Sequence, residues 1–157
     1  MIKFRPLSQL NHSFTRYELL QPNKFIMTEI YYEQLPEGCP EDDAKPANNQ
    51  KFYRLINGNT ANDVDFYSHK KLEIWPGAFK DVSECIASSV SLWRDFNACL
   101  RVQKLAKNKD KKVAEITLEN NDGKIKQTGN NIDHYSWWRA DSFKIDKNII
   151  YKYPNLA

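Results

Sequence analysis

The stretch Asp133-His134-Tyr135-Ser136-Trp137-Trp138-Arg139-Ala140-Asp141 constrains the fold more than any other part of the chain. Its nine residues hold two of the four tryptophans and one of the three histidines, beside a tyrosine, an arginine and two carboxylates. Tryptophan buries a large apolar area, whereas His, Arg and Asp go deep only when paired. A segment mixing the two kinds is an interface, a pocket wall or a strand with one wet face. In strand geometry His134, Ser136 and Trp138 share one side, and Tyr135, Trp137 and Arg139 the other. One side then offers a polar floor and an aromatic wall that could stack a flat ring such as nicotinamide, adenine or a nucleobase. The competing reading is an aromatic core strand carrying a capped histidine.

The rest of the chain is compatible with a single domain around that strand. Its 157 residues suffice to bury a core without staples. At 41% hydrophobic and 13% aromatic the composition is globular. No run approaches the ~18–20 apolar residues of a bilayer crossing, so no membrane partner is expected. Met1 to Pro6 lacks an apolar signal core, and the expected location is the cytoplasm. Cys39, Cys85 and Cys99 contain no Cys-x-x-Cys pair, which argues against a zinc knuckle or a redox dithiol. Cys85 and Cys99 read as small buried hydrophobes, reduced as is usual inside cells.

A formal charge of +3 is too mild to mark a nucleic-acid binder by itself. Its distribution says more. Lys104, Lys107, Lys109, Lys111 and Lys112 crowd one short stretch opposed there by Asp110. This is either a solvated helix end, favoured by the helix dipole, or a contact for a polyanion.

Punctuation and periodicity divide the chain into residues 1–35 as an N-terminal extension, 36–50 as a loop or linker and 51–157 as the main domain. In the extension, Asn11 or Ser13 caps a predicted short helix through Leu20, and residues 25–35 read as strand or buried helix. The linker contains Pro36, Gly38, Pro40 and Pro46 with acidic residues between them. Beyond it, Lys51 to Ile56 reads as a strand, Thr60 to Asp63 as helix-start chemistry, and Cys85 to Trp93 as a second strand. Asp95 caps a helix to about Ala106 with Phe96, Cys99, Leu100 and Leu105 as its apolar stripe. Val113 to Leu118 alternates like a half-buried strand, Asn121-Asp122-Gly123 supplies a hairpin turn and Ile125 begins the return. His134 to Arg139 and Ile145 to Tyr151 complete the strands. Several short strands and few helices predict an α+β fold with a mixed, mostly antiparallel sheet.

Four groups could carry chemistry. Arg54, inside an apolar strand, calls for either a structural ion pair or a phosphate or carboxylate ligand. Asp65 to His69 gathers polar side chains, with Ser68 and His69 available to a ligand and His69 either a general base or a surface histidine. Ser88, Ser89 and Ser91 offer hydroxyls to a ribose or to neighbouring backbone. His134 with Trp138 is the ring-recognition candidate. Gly-x-Ser-x-Gly, Gly-x-Gly-x-x-Gly and phosphate-loop patterns are missing, which argues against a serine hydrolase, a Rossmann fold or a P-loop.

In the order of these parts, residues 51 to about 141 resemble compact ADP-ribosyltransferase-like bacterial toxins. Tyr53-Arg54-Leu55 comes first, a hydroxyl-rich strand from Ser88 to Trp93 leads into a helix, and further strands follow. The resemblance implies NAD as substrate, Arg54 on its pyrophosphate, and Ser89 or Ser91 along the nicotinamide pocket, with Ser68, His69 and Trp138 as further cofactor contacts. The late catalytic glutamate would be Glu115 or Glu119, or its role would fall to Asp141, with His134 positioning the ribose. The acceptor would be RNA, DNA or protein, the lysine cluster suiting a nucleic acid, and a neutralising antitoxin would be a natural partner. Two other readings use the same residues. One is a non-catalytic binding module, such as an antitoxin, immunity or phage adaptor protein, with Trp137 and Trp138 as its hot spot. The other is an RNA-cleaving enzyme using His69 and His134 as base and acid.

Overall fold

The structure is a computed structural model that describes residues 29–145 and the backbone of 149–152. Among the described residues seven strands form one sheet: β1 (Lys45–Pro46), β2 (Gln50–Ile56), β3 (Val90–Trp93), β4 (Lys112–Leu118), β5 (Gly123–Gln127), β6 (His134–Arg139) and β7 (Ile149–Lys152). They lie in the order β1-β5-β6-β3-β2-β4-β7, and every pairing is antiparallel. Among the described residues two α-helices, α1 (Glu84–Ala87) and α2 (Phe96–Gln103), and three short 3-10 turns accompany the sheet in an α+β fold.

Period-two alternation sorts the side chains onto two faces. Phe52, Ile56, Val90, Leu92, Ile116, Ile125 and Trp137 share the core face. Phe66 and Phe143 pack edge-on against Trp137 there, with ring centroids 6.2 and 4.9 Å away. Each fully buried side chain of this size contributes about 1.5–3 kcal/mol. The second face carries Tyr53, Ser91, Trp93, His134, Ser136 and Trp138, as the pairing register requires. Helix α2 covers part of it, Asp95 capping the helix through the Ala98 amide and Phe96 meeting Tyr53 at 5.5 Å. Residues 68–87 reach the rest, for the Trp138 indole donates to the Cys85 carbonyl.

Four expectations are corrected. Residues 36–50, expected as a loop or linker, are not loop throughout: they contribute β1 and the first residue of β2, and Ala44 and Ala47 are buried. The described part of the extension belongs to the domain as well, Tyr31 bridging Ala140 and Tyr32 donating its amide to the Arg139 carbonyl. The helix expected before Leu20 lies outside the described residues. The segment from Cys85 is not all strand. Ser83 caps α1, and the hydroxyls of Ser88 and Ser89 turn back to the carbonyls of Glu84 and Ile86, so the strand begins at Val90.

The third correction concerns β5, which does not return along β4 but pairs with β6 and β1. The turn is claimed by β6: the Asp122 carbonyl accepts from the Trp137 indole and from the Ala140 amide. Gly123 sits at φ +116°, so close to β6 that a Cβ would lie 2.1 Å from the Trp138 carbonyl oxygen. The fourth is Cys85, joined to Cys39 in a disulfide, which overturns the expectation that it is a reduced thiol. Cys99 stays free and buried, its thiol pushed up to about 12 by loss of hydration. Among the described residues no helix is long and apolar enough to cross a membrane.

Candidate functional site

Strands β2 and β3 share a single residue pair, Tyr53 opposite Trp93. Beyond it Arg54 bridges them. Its Nε donates to the Asp65 carbonyl and its Nη1 to the Ser91 carbonyl, each at 2.6 Å. Two backbone carbonyls thus accept hydrogen bonds from this cation, and the charge of Asp65 supports it. Desolvation draws the guanidinium down to about 10, with Asp65 opposing that shift. The Asp65 carboxylate is itself spent on Asn57 and on the Asn62 amide.

The other residues assigned to NAD are mostly occupied too. The Ser68 hydroxyl donates to Glu33 at 2.5 Å and accepts the Lys71 amide. Ser89 is buried against α1, and Trp138 is fully buried. Trp137 is fully buried as well, so neither tryptophan presents a hot spot to a partner. The three catalytic candidates are spread out. One transverse row of the second face runs His134, Trp93, Tyr53, Glu115, a residue on each of four neighbouring strands. At ~4.8 Å per strand, Glu115 stands about 14 Å from His134. It is also held by Lys51 at 3.1 Å and by the Tyr53 hydroxyl at 3.3 Å. Asp141 is an exposed turn residue past the far end of β6, roughly 20 Å along the chain from His134.

Two candidates do converge. His134 lies at the start of β6, half-buried, with its ring edge-on to Trp93 at 5.0 Å. Its Nδ1 meets both the carbonyl and the hydroxyl of Thr128 at 3.1 Å, and the Thr128 hydroxyl continues to Ser136 at 2.9 Å. A carbonyl can only accept, so Nδ1 carries the hydrogen and Nε2 keeps its lone pair. His69, also half-buried, stacks on Phe79 with centroids 4.0 Å apart. Desolvation lowers the pKa of both imidazoles below the usual value. The charges of Arg54, His134 and Lys107 push His69 further down, and that of Arg54 does the same to His134, while the Thr128 carbonyl opposes it. The two rings therefore share one electrostatic neighbourhood, and the charges acting on His69 are all positive.

Lys104, Lys107 and Lys109 are exposed beyond α2, in a loop tied by Gln103 to the carbonyls of Lys109 and Lys111. Lys111 and Lys112 are half-buried. On the other flank of His134 a cleft of about 420 Å³ is lined by Glu41, Ser83, Ile86, Lys126 and Thr128. Thr128 is the partner that sequence reasoning missed. The turn-forming Gly129-Asn130-Asn131 between two alternating segments was the signal for a β5–β6 hairpin, which sets Thr128 opposite His134.

No protein-family model, curated protein or solved structure matches this chain.

Proposed function

We propose that the protein acts on a phosphodiester, with RNA as substrate, and that His69 and His134 exchange protons with it. The observation that carries this reading is the nearness of two half-buried imidazoles, each oriented by a neighbour (His134 by Thr128, His69 by Phe79), with the charges of Arg54 and Lys107 acting on them. Such a place favours an anion and keeps both rings neutral until the pH falls. His134, oriented by the Thr128 carbonyl, has Nε2 available as a base. It takes the proton of a ribose 2′-hydroxyl, and the 2′-oxygen attacks phosphorus. Protonated His69 gives its proton to the departing 5′-oxygen, leaving a 2′,3′-cyclic phosphate and a 5′-hydroxyl end. Lys107 and the field of Arg54 offset the charge that builds on the phosphoryl oxygens.

Transfer of ADP-ribose from NAD finds less support. It needs Arg54 open to a pyrophosphate and a carboxylate beside His134, whereas Arg54 holds two carbonyls and Glu115 stands three strands away.

The test is single-stranded RNA without NAD, with product ends analysed between pH 5 and 7.5. One ring must be protonated and the other not, so the rate should peak below pH 6.5, and His134→Asn and His69→Asn should each lose about 10²-fold or more. RNA left intact across that range, or cut equally well by both variants, would overturn the proposal.

A further inference from the structure

The disulfide joins the two walls of the cleft beside Thr128. Cys39 belongs to the turn-rich segment before β1, which carries Glu41 into the cleft; Cys85 belongs to α1, which carries Ile86 into the opposite wall. Between them lies Lys126, on the same sheet face as Ser136 and directly across from it. Its ammonium is paired with Glu41 and, at 2.9 Å, with Asp43. Those carboxylates are 43% and 66% exposed, and ion pairs so open to water hold a loop only weakly. From Ala44 onward the segment is anchored by burial and by the β1–β5 pairing; ahead of Ala44 the covalent bond is its strongest tie over Lys126.

We infer that Cys39–Cys85 is a reducible clamp that holds Glu41 and Asp43 on Lys126, masking a cation next to the His134 site. Reduction by a dithiol puts two electrons and two protons into the S–S bond, leaving two thiols while the dithiol closes into its own disulfide. The segment from Pro36 to Asp43 then loosens and Lys126 becomes available to an anionic ligand. The α1 side stays in place, because Trp138 still holds the Cys85 carbonyl and the Lys70 amide still holds that of Ala87. The release of the segment is independent of the catalytic reading; the use of Lys126 by a nucleic acid rests on it.

The experiment compares the oxidised full-length chain with the dithiol-reduced one, thiols being counted after denaturation. Amide exchange over residues 37–43 should rise at least several-fold on reduction. Binding to a single-stranded oligonucleotide should tighten, with the slope of log K against log salt steeper by about 0.7, the value for one added phosphate contact. Cys39→Ser should match the reduced form with or without dithiol. Lys126→Gln should keep the exchange response and lose the change in slope. Equal exchange in both forms once the bond is shown to be broken, or a slope change that survives in Lys126→Gln, would overturn the clamp. Absence of RNA cleavage together with intact exchange and binding differences sinks the catalytic reading and supports the clamp.

Discussion

Trp138 donates its indole N–H to the carbonyl of Cys85 across 2.9 Å and thereby ties α1 to the second face of the sheet. Its neighbour Trp137 points the other way, into the core, and donates to the Asp122 carbonyl. The adjacent tryptophans are thus two separate fasteners.

Loss of either should register as stability. Trp137→Ala removes a fully buried ring and should cost about 3–5 kcal/mol. Trp138→Phe keeps most of the packing and leaves the Cys85 carbonyl with the Ser88 amide, so it should cost about 0.5–1.5 kcal/mol for the one lost hydrogen bond. Urea denaturation measures both, and a Trp138→Phe midpoint equal to the wild type would contradict the fastening role.

Arg54 makes a parallel case. Replacement by Met leaves the carbonyls of Asp65 and Ser91 without donors and should lower stability by about 2–5 kcal/mol. A substrate anchor would behave differently, since its removal leaves the unfolding curve in place while binding fails. Chemical denaturation of the unliganded chain separates these outcomes.

Gly123→Ala should be among the most damaging single changes. A Cβ there would fall 2.1 Å from the Trp138 carbonyl oxygen and 2.8 Å from the Ala140 amide nitrogen, so a loss above about 3 kcal/mol is expected. Gly58→Ala provides the control. At φ +72° with open space around it, that change should cost about 1–2 kcal/mol from backbone strain alone.

The histidines make stability pH-dependent in a defined direction. Both have folded pKa values below the unfolded value of about 6.5. Between those limits the unfolded chain binds more protons than the folded one, so acidification through pH 6.5 removes stability and the contribution is complete above it. Denaturation at pH 7.5 and 5.5 should show the drop, and His134→Gln should reduce it. Proton NMR should place both imidazole midpoints below 6.5; a midpoint above that value for either ring would reverse the sign.

The strands of the main domain were legible because their side chains alternate and their turns carry Asn and Gly, as in Lys51 to Ile56 and His134 to Arg139. The cap at Asp95 was equally plain. What could not be read was partnership. Nothing local in Asn121-Asp122-Gly123 tells that β5 leaves β4 for β6, because the deciding contacts come from Trp137 and Ala140. Arg54 was singled out as a cation needing a partner; that two of its donors would go to the carbonyls of Asp65 and Ser91 depends on segments distant in sequence. Of the candidate site, His69, His134 and Lys107 were legible as residue types; that they share one field depends on tertiary placement. The Cys39–Cys85 pairing was hidden by the same distance in sequence, 46 residues.

One residue pair and the Arg54 side chain hold β2 to β3, whereas seven pairs hold β2 to β4. The sheet thus has a seam near its middle, with four strands on one side and three on the other. Helix α2, which touches β3 on one side and β2 and β4 on the other, spans that seam like a splint, so a load across the strands should open the sheet there only once α2 has lifted away.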